Sequence, residues 1–470
     1  MKSPATPPID ARRLVTAAAV LAGALLLTAR PAAALDRLCD PAFENCRTQL
    51  LDLINRETQG IDVAFWFMED TRYLTAITER WRAGVPVRLL VDPRASATYP
   101  LNEGILEGFR TAGVPMRQRI ASGILHWKMM LFVGQGVVEF SGANYSDNAF
   151  KPVTAYSNYV DESVFFTDDA AIVQTFMTRF DSSWIDRTSF SDYANILSAP
   201  VRHYPVFTQY AELNFPPGQS YATRAVSLYN AETTGIDVIM YRVTDRRHSD
   251  AMIAARARGV PVRIITDLKE YRSVAKLWHA WNIDRMWAAG IPMRVPAHAG
   301  MNHQKSVILK AQRTVIFGSS NWTSPSDHSQ QEHNFFSQAR AWIYDWFTNQ
   351  FDRKWNNQTG IAETKAFVPL PPDAPKLRSP ATLAGGVSRS TKLTWYGGPW
   401  AHSYDIYFGT SATPPRVATK NLGPSLTTGQ NQSYTPGTLA AHTTYYWKIV
   451  SKTAAGKTKS GAVWSFTTGS

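Results

Sequence analysis

Apolar positions in this chain gather into short runs that alternate with stretches of helical spacing, and the alternation occurs twice. VPVRLLVD, from Val85 to Asp92, and VPVRIITD, from Val260 to Asp267, are nearly continuous apolar strands. That pattern suits a sheet covered on both faces. Between such runs lie segments like TRYLTAITERWRAG (71–84) and HSDAMIAARARG (248–259), which carry apolar residues at helical intervals and stop at a glycine. Each half therefore reads strand, helix, strand, helix, strand, a hairpin and a closing helix. Strands alternating with helices predict an α/β sandwich in each half.

The halves repeat one another residue by residue. Gly60-Ile61-Asp62-Val63 recurs as Gly235-Ile236-Asp237-Val238, and Gly84-Val85-Pro86-Val87-Arg88 as Gly259-Val260-Pro261-Val262-Arg263. Asp92 and Asp267 follow at equal distances, and Phe180-Asp181 with Trp184 returns as Phe351-Asp352 with Trp355. These repeated Trp and Phe-Asp elements read as core and helix-end residues. Beyond Val368-Pro369-Leu370-Pro371-Pro372 the helical pattern ends. Short strands replace it: LTWY (393–396), YDIYF (404–408), YYWKIV (445–450) and VWSFTT (463–468). The chain thus divides into a leader (1–34), a first lobe (35–190), a second lobe (191–365), a Pro-rich linker (366–375) and a β-sandwich (376–470).

Composition and charge refine this picture. A length of 470 residues exceeds one average domain, and 44% hydrophobic content supports large cores. Arg12 and Arg13 precede an apolar run from Leu14 to Ala29, with Ala32, Ala33 and Ala34 after it. This three-part pattern predicts a secretory signal cleaved after Ala34 and an exported protein. Cys39 and Cys46, the two cysteines, are then expected to form a disulfide that pins the mature amino terminus. The net charge of +12 is unevenly spread: residues 35–375 carry 35 charges of each sign, whereas residues 376–470 carry ten Lys or Arg against the single Asp405. A neutral catalytic region argues against electrostatic capture of nucleic acid there. The basic tail carries no catalytic constellation; its charge suits either contact with an anionic surface or a soluble spacer with a cationic face.

The candidate chemistry sits in two stretches 177 positions apart, HWKMMLFVGQGVVEFSGAN (His126 to Asn144) and HQKSVILKAQRTVIFGSSN (His303 to Asn321). Each opens on His-x-Lys, runs through a predicted hairpin and closes on an Asn 18 positions after its His. Alternation along a strand points His126 with Lys128, and His303 with Lys305, to one side. Trp127 and Gln304, between them, are expected to face away. Hydrolysing a phosphodiester requires charge neutralisation, a nucleophile and an acid for the leaving oxygen. A neutral imidazole attacks phosphorus while a second imidazolium protonates the alkoxide. Two His, two Lys and two Asn brought together by a pseudo-twofold axis meet that need with no metal and no cofactor.

Over roughly residues 37–358 the chain resembles the phospholipase D superfamily, whose signature is His-x-Lys, an Asp five residues after the Lys, and Gly-Ser-x-Asn. The resemblance implies two duplicated lobes with pseudo-twofold symmetry. It makes His126 and His303 nucleophile and general acid/base, family habit favouring the amino-terminal His126 as nucleophile. Lys128, Lys305, Asn144 and Asn321 would bind phosphate, with Ser319 as a lesser substrate contact. Glu162 in DESVFF and Glu332 in EHNFF match the glutamate that holds a catalytic His in many members. The chain departs at the motif Asp, which is Val133 and Lys310 here, and at Ser141-Gly142 in place of Gly-Ser. Since that Asp is more scaffold than reactant, the mechanism is expected to survive. The tail resembles a fibronectin type III domain in Leu439-x-x-x-Thr443-x-Tyr445, which matches a tyrosine corner, with Trp395 and Trp464 as core residues.

The leading expectation is a secreted phosphodiesterase acting on phospholipid headgroups through a phosphohistidine, monomeric because both motifs lie in one chain. A secreted nuclease of the same superfamily is the alternative, and an extracellular binding protein on a decayed enzyme fold is the non-enzymatic one. His203, His248, His279, His298, His328 and His333 receive no role.

Overall fold

The structure, a computed structural model, describes Met1 and residues 35–196, 202–422 and 430–470. Apart from Met1, the expected leader lies outside the described residues.

The repeated sequence folds into repeated elements. The first lobe opens with β1 (Arg37–Cys39), α1 (Cys46–Arg56), β2 (Ile61–Phe65), α2 (Thr71–Arg82) and β3 (Val87–Val91). It continues with α3 (Leu101–Thr111), β4 (Met116–Arg119), β5 (Lys128–Phe132), β6 (Val137–Ser141) and β7 (Asn158–Asp161), and closes with β8 (Val164–Thr167), α4 (Ala170–Ile185) and β9 (Phe190–Ala194). The second lobe opens with β10 (Leu213–Asn214), α5 (Tyr221–Ala231), β11 (Ile236–Met240), α6 (Arg246–Ala257) and β12 (Val262–Thr266). It runs on through α7 (Leu268–Tyr271), α8 (Leu277–Ala288), β13 (Met293–Pro296), β14 (Ala299–Asn302), β15 (Lys305–Leu309) and β16 (Thr314–Gly318). Then come α9 (Ser324–His328), β17 (Asn334–Ser337), α10 (Ala341–Asn356) and β18 (Thr364–Ala366).

Local physics repeats as well. Asp70 and Asp245 cap α2 and α6 by accepting the N–H of Arg72 and Arg247, a contact worth about 1 kcal/mol. Gly84 and Gly259 stop these helices with φ of 87° and 86°, where a Cβ would be strained. Both lobes form eight-stranded mixed sheets of matching order, β1-β8-β6-β5-β2-β3-β4-β9 and β10-β17-β16-β15-β11-β12-β13-β18. The repeated Phe-Asp and Trp positions do more than fill the core. Arg88 pairs with Asp62 at 2.8 Å and Asp181 at 2.7 Å and lies over Phe180 and Trp184. Arg263 does the same with Asp237, Asp352, Phe351 and Trp355. Each closing helix is thereby tied to its sheet.

The two sheets share one core at the seam, where Phe140, Phe165 and Phe176 pack with Phe317, Phe335 and Phe347. The lobe boundaries differ from the expected ones by a few residues. β9 pairs with β4 and carries the first lobe to Ala194, and β18 pairs with β13, leaving Phe367 buried in the second lobe. Hydrogen bonding to a sheet edge, which composition does not report, ends each lobe.

The tail is all-β: β19 (Lys376–Ser379), β20 (Ala384–Val387), β21 (Leu393–Tyr396), β22 (Ser403–Gly409), β23 (Arg416–Asn421), β24 (Asn431–Tyr434), β25 (Thr444–Lys452), β26 (Thr458–Ser460) and β27 (Trp464–Thr468). β19-β21-β24 faces β20-β27-β25-β22-β23, with β26 on β25, around Trp395, Tyr404, Trp447 and Phe466. It rests on the second lobe through Trp400, which packs partly buried against that lobe's core under Arg272. Among the described residues no helix is long and apolar enough to cross a membrane.

Cys39 and Cys46 form the expected disulfide, joining edge strand β1 to the start of α1. Closing so short a loop removes about 2 kcal/mol worth of unfolded-chain entropy. Cys39→Ser is expected to lower the unfolding free energy by about that amount in a denaturant titration without loss of activity.

Candidate active site

Each motif histidine stands two residues ahead of its hairpin, and its position is set from three directions. Asp92 accepts the N–H of Leu125 at 3.0 Å, and Asp267 accepts that of Asn302 at 2.9 Å, so the repeated aspartates hold the residue before each histidine. The N–H of His126 donates to the carbonyl of Gln331 at 2.9 Å and that of His303 to Asp161 at 3.1 Å. The second contact continues a parallel pairing of β7 with β14, which crosses the seam. The next residue after each of those carbonyls is a glutamate, and it holds the other lobe's imidazole. His126 Nδ1 meets Glu332 Oε2 at 2.8 Å, and His303 Nδ1 meets Glu162.

With Nδ1 on a carboxylate, Nε2 is the remaining nitrogen of each ring, and both rings line one cavity. That cavity, about 780 Å³, is lined by His126, His303, Asn144 and Asn321 from the predicted set. Both asparagine Oδ1 atoms lack a partner among the described residues. Lys128 and Lys305 lie buried beneath this surface, each ammonium bonded to the carbonyl of its own histidine, at 2.7 Å for Lys128. Lys305 Nζ also stands 3.0 Å from His303 Nδ1. The two imidazoles, two lysines and two amides expected to meet do so.

Ser319 is placed differently from its expected role as a substrate contact. Its hydroxyl is fully buried and donates to Glu332 while accepting the N–H of His333. It therefore secures the carboxylate behind His126 and does not line the cavity. The corresponding residue of the first lobe is Gly142, where an added Cβ would come within 2.7 Å of Glu162 Oε2. Ser141-Gly142 is thus a fitted variant of the motif. The two motif-aspartate positions lie at the strand end away from the histidines: Lys310 pairs with Asp237 at 3.0 Å and Val133 follows β5.

Burial governs the electrostatics. It holds His126 and His303 well below the ordinary imidazole range, helped by the nearby lysines. It pushes Glu332 up to about 7 and Glu162 up to about 8, and brings Lys305 down to about 8. Ser319 opposes the rise at Glu332. The site without substrate thus has neutral imidazoles and a weakened positive charge that an incoming phosphodiester anion restores.

Several contributors escaped the sequence reading. Asp92 and Asp267 were visible as repeats without a role. His333, held near 3 by burial, is neutral, and its Nε2 accepts the N–H of Lys128 at 3.3 Å. Tyr241 lies 4.8 Å from the His303 ring and donates to Glu270, which also pairs with Arg242. Trp127 faces away as expected and donates to the Glu332 carbonyl, and Trp322 stacks on His248 away from the cavity. Among the described residues no group of three or more His, Cys, Asp or Glu is arranged to hold a metal ion.

Residues 50–184 and 227–355 match the protein family described as cardiolipin synthase, PLD-like domain. A mitochondrial cardiolipin hydrolase of Chlamydomonas reinhardtii is 27% identical over 134 residues, covering 28% of this chain and 57% of the relative. One from Canis lupus familiaris is 24% identical over 164 residues, covering 34% and 62%. The match therefore spans less than two thirds of either relative. A phosphatidylserine synthase structure from Haemophilus influenzae superposes with a TM-score of 0.53 at 14% identity over 71% of this chain and 87% of that one, a likeness of fold.

Proposed function

This chain belongs to the cardiolipin synthase, PLD-like domain family, and on that premise we propose that it is an exported phosphodiesterase hydrolysing phospholipid headgroup bonds through a phosphohistidine. The single observation that carries this reading is the exchange of carboxylates across the seam, which gives both imidazoles a fixed Nδ1 contact at one shared cavity. In the first step His126 Nε2 attacks phosphorus, the bond to the headgroup oxygen breaks, and His303 protonates that oxygen. Water then attacks phosphorus, His303 takes its proton, and the P–N bond breaks. Glu332, secured by Ser319 and the more acidic of the two carboxyls, supports His126 as the nucleophile: an ionised acceptor at Nδ1 leaves the lone pair on Nε2. The disulfide supports export.

Mature protein offered phosphatidylcholine, phosphatidylglycerol and single- or double-stranded DNA, with and without chelator, tests this. Lipid headgroup release that persists in chelator and disappears in His126→Ala supports it, whereas DNA cleavage alone selects a nuclease. The stacked Phe67–Tyr99 pair on the cavity wall, ring centroids 3.7 Å apart, is the feature that favours the nuclease reading. Inertness toward every phosphodiester would leave a binding protein.

The pH profile follows from the buried groups. As pH rises through about 8, Lys305 loses the charge that holds phosphoryl oxygens. As pH falls below about 7, Glu332 takes a proton and stops accepting from His126. A bell-shaped kcat/KM with its maximum between these limits is expected. Lys305→Arg should move the alkaline limb upward, since a guanidinium stays charged; an unmoved limb would remove Lys305 from phosphate binding.

For the tail we propose a fibronectin type III-like domain. The Ala440 N–H donates to Tyr445 Oη at 3.0 Å, the backbone contact of a tyrosine corner. Its excess of Lys and Arg suits an anionic surface.

A further inference from the structure

The two histidines share a cavity, but the support behind them differs. Trp127, between His126 and Lys128, packs on Phe176 and Phe215. Gln304, at the matching position beside His303, enters a buried polar network. Gln350 and Lys354, one helical turn apart on α10, complete that network. The Gln350 amide donates to the Glu162 carbonyl at 3.3 Å and to Asp40 at 3.0 Å, and accepts from Gln304 at 2.9 Å. The Lys354 ammonium is fully buried and donates to the Asp161 carboxylate and, at 3.3 Å, to Gln304 Oε1. Asp161 is the residue whose carbonyl accepts the His303 N–H, and Glu162, next in the chain, holds Nδ1 of the same ring. A buried ion pair therefore stands directly behind the His303–Glu162 couple. At equal offsets the other half carries Gln331 for Asp161 and Ser183 for Lys354, an uncharged pair. Burying a carboxylate and an ammonium is expensive, and uncharged partners of similar shape serve folding as well or better.

We propose that Lys354 is a positioning residue for His303: by balancing Asp161, it lets Glu162 remain an acceptor while the His303 ring takes on positive charge. The inference rests on the phosphodiesterase reading and adds a residue to it. Burial raises Glu162 most; among the charges, Asp161 raises it further, whereas Lys305 and Lys128 from the cavity floor and Lys354 from behind lower it. Glu139 on β6 also interacts with it. Without the ammonium, Asp161 stands as an uncompensated anion beside Glu162, which then keeps its proton and stops accepting from Nδ1. His303 thereby loses the carboxylate that stabilises its imidazolium. That imidazolium gives its proton to the leaving oxygen in the first step and forms again when water is deprotonated in the second. The charges that act most strongly on His126 are Lys128, Lys305 and Arg242, so the nucleophile is left largely as it was.

Full-length protein labelled with nitrogen-15 histidine reads the effect directly, because the ring nitrogen shifts report protonation. Lys354→Met is expected to move the pH at which the His303 ring signals titrate upward, and Asp161→Asn downward, with the His126 signals nearly unmoved. The double variant Lys354→Met/Asp161→Asn should return them towards wild type, since the other half already carries uncharged residues at these positions. In turnover, Lys354→Met should lower kcat on phosphatidylglycerol about a hundredfold with KM little changed. First-turnover release of nitrophenol from a p-nitrophenyl phosphodiester should stay within about tenfold of wild type, because that leaving group needs no acid. The double variant should recover kcat on lipid to within about tenfold. Unmoved His303 signals in Lys354→Met, equal losses on lipid and nitrophenyl ester, or a double variant no better than the single would each overturn the positioning role and leave the phosphodiesterase reading intact. If Lys354→Met does not fold, Asp161→Asn and the double variant carry the comparison: His303 titrating lower in Asp161→Asn supports the role, and identical signals refute it. Inertness of wild-type protein on every phosphodiester would overturn the phosphodiesterase reading alone, since the ring signals test Lys354 independently of turnover.

Discussion

His126→Ala is expected to abolish turnover, by at least about 10⁴-fold in kcat, on lipid and on activated substrates alike. The nucleophile forms the enzyme's own covalent bond to phosphorus, and among the described residues His303 is the only other histidine that lines the cavity. His303→Ala should differ in kind. It loses as much on lipid, whose alkoxide needs a proton, but on a p-nitrophenyl phosphodiester the leaving group departs unaided. The first step then survives to within about a hundredfold of wild type. Because His303 also activates water for the second step, this variant should release one equivalent of nitrophenol and accumulate phosphohistidine. Mass spectrometry of the rapidly quenched protein should find the phosphoryl group on His126. Its appearance on His303 in the His126→Ala variant, with a burst, would exchange the two roles.

The next largest effect is expected from the carboxylates that cross the seam. Glu332→Gln keeps the shape of the side chain and its contact with Ser319 but removes the charge facing His126. Phosphorylation at Nε2 makes that ring cationic, so the loss falls on the chemical step. About 10²- to 10³-fold in kcat is expected, with KM little changed. Glu162→Gln should act through His303 and spare the p-nitrophenyl ester as His303→Ala does. A KM increase in Glu332→Gln with kcat preserved would mean that Glu332 only shapes the pocket. Because the pairs connect different lobes, each variant should also resemble the histidine of the opposite lobe in its substrate profile. A same-lobe correspondence would contradict the observed exchange.

Much of this was legible along the chain. Continuous apolar runs such as VPVRLLVD suit a sheet covered on both faces, the helical stretches stop at glycines, and the duplication ties both patterns to two places. His-x-Lys and the Asn 18 residues on mark the reactive set because their chemistry demands those residue types. The Pro-rich stretch marked the change from α/β to all-β. What failed were the lobe edges at 190 and 365 and the role of Ser319. In both cases the decisive partner lies outside the local pattern: a strand across the sheet edge, or a carboxylate on the next strand.

Periodicity along one segment reports which face is apolar, so the sequence by itself determined the two sheets, their duplicated order of elements and the candidate reactive side chains. Only the packing of one sheet against the other decided which glutamate serves which histidine, since Glu332 and His126 are 206 residues apart and no local rule prefers that pair to one within a lobe. Apolar and hydrogen-bonding preferences act over one strand or one helical turn, whereas the relation between lobes is fixed by the shared aromatic core at the seam, which forms only when both lobes are folded.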